Sequence, residues 1–162
     1  MSLYDFANWL NETSWSVYLR ESDWAFAIIE TVHILALGLS VGLILWVDLR
    51  LMGVAMRRHR VWDLMGQIEP WAKRGFLVMF ASGSLLMFAE PLKCYTRLSF
   101  RLKAAMLILA GLNVLYFNIR VRASLRDCDA TVTLPWRARM VGHLSMWLWL
   151  GIIFCGRWMA YF

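Results

Sequence analysis

Four membrane-spanning α-helices are predicted for this chain, and three observations predict them. Long stretches carry almost no charge. Only 17% of the 162 residues are charged, where a soluble domain keeps roughly a quarter. Tryptophans and tyrosines gather at the ends of the uncharged stretches, as rings at a bilayer interface do. With 60% hydrophobic residues and a mean hydropathy of +0.54, the class is all-α. The expectation is one membrane domain over 1-162, a four-helix transmembrane bundle with a short N-terminal interfacial amphipathic helix.

That first helix is expected over 3-19, where Leu3, Phe6, Leu10 and Val17 share a side and Trp9, Trp15 and Tyr18 supply interfacial rings. A surface helix packed on a partner protein is the competing interpretation. The first span is expected near 24-48, because between Trp24 and Val47 only Glu30 and His33 can ionise. At about 1.5 Å per residue that run crosses roughly 30 Å of hydrocarbon. Three further uncharged runs, Gly75–Ala89, Ala104–Ile119 and Met140–Gly156, are somewhat short. Snorkelling Lys and Arg extend them to spans near 72-92, 101-121 and 138-160. Trp24, Trp46, Trp71, Tyr95, Trp136, Trp158 and Tyr161 fall near the expected ends, and Pro70, Pro91 and Pro135 at the boundaries.

The net charge of +6 would suggest nucleic acid in a soluble protein. Here the positive-inside bias accounts for it, and nucleic acid is not expected as a partner. Connections 48-74 and 120-139 hold more Lys and Arg than the N-terminus, 90-103 and the C-terminal span together. Both termini are therefore expected on the periplasmic side of a bacterial inner (plasma) membrane. The Arg57-Arg58-His59-Arg60 run fits topology and anionic lipid. Cys94, Cys128 and Cys155 form no disulfide framework and no metal-binding spacing. Acidic Asp5, Glu12, Glu21 and Asp23 argue against a cleavable signal peptide. No phosphate loop, HExxH, GxSxG or repeat of the two helix pairs is present, and the last point weighs against a transporter of paired halves.

Polar groups inside hydrocarbon need a reason, since an ionisable one costs about 2.5–3.5 kcal/mol at a helix centre. Glu30, His33, Lys103, Asn113 and His143 qualify, while Asp48 and Arg157 sit at span ends as interface anchors. Glu30 and His33, three apart, share a helix face that Leu37, Ser40 and Ile44 continue. Gly38 and Gly42, on the opposite side, form a Gly-x-x-x-Gly pattern suited to close helix packing. His33 is readable in two ways: as a haem ligand, or as a structural histidine bonded to a neighbouring helix. Glu30 would orient its ring or handle protons. Lys103 either reaches inward or snorkels, and Asn113 is expected to bond a neighbouring helix. His33 lies roughly 13 Å inside the outer boundary, and His143 enters from the opposite face, about 10 Å away along the normal. Bis-histidine ligation by that pair is disfavoured. Met79, Met87 and Met106 with His33 offer a thinner case for copper.

Glu30-Thr-Val-His33, Gly38, Gly42 and Asp48-Leu-Arg50-Leu-Met-Gly53 resemble an uncharacterised family of small four-helix bacterial inner-membrane proteins. Phe100-Arg-Leu-Lys103, Ala110-Gly-Leu-Asn113, Tyr116-Phe117-Asn118 and Gly156-Arg157-Trp-Met-Ala-Tyr161 extend the resemblance over nearly the whole chain. A more distant similarity links an early histidine and a lysine opening a later span to membrane protoporphyrinogen oxidases and copper-resistance D-type membrane domains. In the oxidases that pair is linked to haem b, which implies His33 as axial iron ligand and Lys103 as second ligand or propionate partner. The oxidases carry histidine where this chain has Asn118, so porphyrinogen oxidation is not implied. The leading expectation is a b-type haem-binding membrane subunit for electron transfer, to or from quinone, with Glu30 in the site. The alternatives are a non-catalytic anchor or assembly subunit, partnered by another membrane protein or a second copy, and a copper or small-solute permease. Convergence of Glu30, His33 and Lys103 on a planar, aromatic-walled slot favours the first, and their dispersal into separate interhelical hydrogen bonds favours the second.

Overall fold

The computed structural model describes residues 2–22, 24–126 and 134–161, with side chains as far as 158. Expectations attached to Asp23, Cys128 and the ring of Tyr161 lie outside the described residues. Seven α-helices account for almost all of the described chain: α1 (Leu3–Asn11), α2 (Ser14–Glu21), α3 (Ala25–Leu51), α4 (Val61–Ala89), α5 (Pro91–Thr96), α6 (Leu98–Tyr116) and α7 (Trp136–Tyr161). Four segments are long and apolar enough to cross a membrane: Ala25–Leu51, Val61–Ala89, Leu98–Leu125 and Trp136–Trp158. The protein is an all-α bundle of four such helices.

The helix expected over 3-19 is two shorter ones. Thr13 divides them, because its hydroxyl donates to the Leu10 carbonyl at 2.7 Å and accepts from the Ser16 amide at 3.4 Å, capping α2. Ser2 and Asp5 close a capping box at the start of α1. α1 packs mainly on α5 and α2 on the end of α4. Tyr4 meets Tyr95 edge-on at 5.9 Å, while Ser16 Oγ and Arg20 Nη1 each donate to the Ala89 carbonyl at 3.4 Å. That carbonyl needs outside donors because the helix breaks at Glu90 (φ −133°, ψ 58°).

Pro70 does not mark a boundary. α4 begins at Val61 and runs through it, and Pro70 and the Gly66 carbonyl that loses its donor are both on the exposed side. The first connection likewise starts later than position 48. Asp48 and Arg50 belong to α3 and are each 3% exposed, with Arg50 Nε donating to the His59 carbonyl at 2.8 Å. The turn itself uses Gly53 at φ +76° and Met56 at φ +54°. Past Tyr116, α6 widens into a π turn (117–121) and tightens into a 3₁₀ turn ending at Leu125.

α3 packs on α4 and on α7, and α6 packs on α7; among the described residues α4 and α6 share no comparable packing. α3 and α4 approach closely at Ser40 and Gly75, where a Cβ on Gly75 would stand 2.9 Å from the Ser40 Cβ. The Gly38–Gly42 pair, expected to pack closely, instead faces open space, with nothing within 4 Å of a Cβ at either position. The reason is directional: the polar stripe through His33 and Ser40 turns inward, which puts the glycines on the outer side. Asn113 donates its amide to the Val141 carbonyl at 3.2 Å, an α6–α7 hydrogen bond of the kind expected for it.

Candidate functional site

Among the described residues, cavities interrupt the bundle toward each end, and two of them are lined by residues of interest. The larger, about 690 Å³, is lined by the first half of α3, the last turns of α4, α5, the start of α6 and the end of α7. Glu30, His33 and Lys103 all lie on its wall, with Lys93, Cys94 and Arg157. Phe26 and Phe100 are its aromatic members, and Ile34, Leu37, Leu86 and Ile152 are among its aliphatic ones. The volume is within the roughly 300–1,000 Å³ of small-molecule and cofactor sites.

His33 is fixed by a residue that the sequence did not single out. Its Nδ1 lies 3.0 Å from Ser82 Oγ, and the Ser82 hydroxyl donates to the Val78 carbonyl at 2.7 Å. Ser82 Oγ also stands 3.2 Å from the Met79 carbonyl, and His33 bonds the Met79 backbone as well; the tautomer with its hydrogen on Nδ1 donates to these acceptors and leaves a lone pair on Nε2. Ser82 is thus a side chain within hydrogen-bond distance of Nδ1, and Glu30 lies on the same cavity wall. Gly83 makes room beside it: a Cβ there would stand 3.0 Å from His33 Cε1. Both are generic small residues in a membrane helix, and only the register of α4 against α3 gives them this role.

Lys103 turns inward at this level, its Nζ reaching to 3.6 Å from where a Cβ on Gly156 would be. Cys94, buried on α5, has its thiol pushed up to about 11, first by burial and then by the Glu90 charge, against the opposing pull of Lys103 and Lys93. Glu90 itself pairs with Lys93 at 2.5 Å. His143 lines neither cavity, and its Nδ1 donates to the Arg139 carbonyl one turn back at 2.7 Å. Of the methionines considered for copper, Met87 shares the cavity with His33. Met79 is buried against Ser40, and Met106 packs where a Cβ on Gly151 would fall. Among the described residues, no three His, Cys, Asp or Glu side chains gather as a metal site.

The second cavity, about 220 Å³, lies toward the other end and draws on all four spans. Asp48, expected at the surface as an interface anchor, is on its wall and buried. Gly142 lets α7 approach so closely that a Cβ there would stand 3.0 Å from the Asp48 carbonyl oxygen, and Ser145 hydrogen-bonds the Asp48 carboxyl. The close α7 contact, invisible in the sequence of α3, covers the side chain.

A family model described as a family of unknown function (DUF6644) matches residues 6–162. No curated protein and no solved structure matches the chain.

Proposed function

We propose, for a chain that belongs to the family of unknown function DUF6644, that the larger cavity holds a b-type haem and that the protein is an electron-transfer subunit of a membrane. The observation that carries this reading is the convergence of Glu30, His33 and Lys103 on one cavity of about 690 Å³, with the His33 Nε2 lone pair left for a metal. Neutral imidazole held through its second nitrogen is the form that ligates haem iron.

The residues present fit the group. His33 would be the axial ligand, and the Lys103 amine either the second ligand or, with Lys93 and Arg157 on the same wall, a partner of the propionates. Phe26, Phe100, Leu37 and Ile152 supply apolar wall for the macrocycle, and Glu30 would handle protons near it. Bound haem supplies one-electron chemistry. The chain's own residues would hold it and set which ring nitrogen faces the iron. A quinone in the bilayer is the redox partner we favour, since the cavity lies at the end of spans with wide apolar faces. In this reading the chain sits in a bacterial inner membrane with both termini periplasmic, and α1 and α2 lie in the outer headgroup plane.

The test is the absorption spectrum of the purified full chain in mild detergent, oxidised and then dithionite-reduced. A Soret band, with α and β bands sharpening on reduction, at about one haem per chain is the expected result. A featureless visible spectrum from haem-replete cells would overturn the haem reading.

A further inference from the structure

The smaller cavity holds an unanswered acceptor. Asp48 is 3% exposed, and its Oδ2 has no hydrogen-bond partner among the described residues. Ser145 satisfies part of the carboxyl and leaves that oxygen. A buried polar atom without a partner costs about 1–3 kcal/mol, so something that donates belongs there. Asp48 is about 22 Å from His33 along α3 by helical rise, well removed from the haem cavity.

The surroundings restrict the donor. Ile44, Val47, Phe117 and Val141 make most of the wall apolar, and Phe76 and Trp149 stand beside each other with ring centroids 5.4 Å apart. An ammonium would give up far more hydration among these walls than a hydroxyl, and Lys73 and Arg122 on the outer wall oppose a further cation. Among the described residues α4 and α6 do not pack closely, and there Arg122 clasps Glu69 through two contacts of 2.7 and 3.3 Å. The seam has Glu69, Lys73, Asn118 and Arg122 at its rim and apolar side chains beneath, so it suits an amphipathic molecule that partitions into the headgroup region of a bilayer.

We infer that the cavity between Asp48 and the Phe76–Trp149 pair binds a small membrane-soluble molecule of the phenol or hydroquinone class, its hydroxyl donating to Asp48 Oδ2. The aromatic ring lies among the apolar side chains, and the Glu69–Arg122 pair closes the seam behind it. The site is independent of whether haem occupies the other cavity.

Equilibrium dialysis of the full chain in detergent against labelled 4-ethylphenol tests this, with empty micelles as baseline. The wild-type chain is expected to bind saturably at about one molecule per chain, as one enclosed pocket would. 4-Ethylanisole, which differs only in a capped hydroxyl, should compete about tenfold or more weakly, because it leaves the acceptor unpaired. Asp48→Leu should remove the saturable component. Uptake no greater than that of empty micelles, equal competition by the anisole, or stronger competition by benzylamine would each overturn the proposal. The second of these would mean an apolar cavity alone, and the third a cation site. Should Asp48→Leu fail to fold, the phenol–anisole pair on the wild-type chain still decides.

Discussion

The imidazole of His33 rests against the backbone of Gly83: a Cβ at that position would stand 3.0 Å from Cε1 and 3.5 Å from Nδ1. A side chain there has to displace the ring or be displaced by it. Gly83→Leu is therefore expected to reduce bound haem to the level of His33→Ala, while His143→Ala, whose imidazole bonds its own helix, retains the wild-type spectrum. Haem content per chain, from the pyridine haemochrome spectrum, is the measurement. An unchanged Soret band in His33→Ala would remove His33 from the site.

Ser82 holds the Nδ1 of that ring and is itself held by the Val78 carbonyl. Ser82→Ala removes one hydrogen-bond partner of the ring and leaves the Met79 backbone, at a cost of about 0.5–1.5 kcal/mol. Ser82→Thr keeps the hydroxyl and should recover most of it. Thermal unfolding of both variants in the same detergent checks the pair. If alanine and threonine lower the melting temperature equally, packing rather than the hydrogen bond is at stake.

How far the sequence led differs between fold and site. The four spans were legible because charge is absent for long runs, and Glu30 and His33 could be put on one face by their spacing of three. That Lys103 would share their cavity rested on a similarity of pattern, since a lysine one turn into a span can as well snorkel. Ser82 and Gly83 were not legible at all. Small residues are ordinary in membrane helices, and only the packing of α4 on α3 turns these two toward His33. Asp48 was misplaced for a similar reason. Its distance from the helix end suggested the interface, but α7 covers it through Gly142 and Ser145. Pro70 misled in the other direction, since an exposed proline was read as a stop where the helix runs on.

The two glycine environments on the α3–α4 pair predict opposite outcomes. Gly75→Ala drives a Cβ to 2.9 Å from the Ser40 Cβ, a contact with the neck of a buried side chain that cannot swing away. It should destabilise by about 1–3 kcal/mol, as overpacking does. Gly38→Ala meets nothing within 4 Å and should be neutral or gain up to about 1 kcal/mol of helix propensity. Denaturation of the purified variants separates these. A large loss in Gly38→Ala would show that the Gly38–Gly42 face is covered by another chain.

Cys94 gives a pH-dependent readout outside the spans. Its thiol is pushed up to about 11 by burial and by Glu90, from the 9.0 of an unperturbed cysteine. At pH 8 the folded chain then holds roughly a thousandth of this cysteine as thiolate, the form that alkylates. With Cys128 and Cys155 replaced by serine, iodoacetamide should modify folded Cys94 about a hundredfold more slowly at pH 8 than the SDS-denatured chain. The rate should climb as pH rises toward 11. Stability follows with a definite sign. The raised value means that the folded state keeps a proton that the unfolded chain releases, so the contribution is complete below pH 9 and is lost as pH rises through about 11. Cys94→Ser should shrink that alkaline loss. Fast alkylation of the folded chain at pH 8 would show that α5 does not keep Cys94 buried beside the larger cavity.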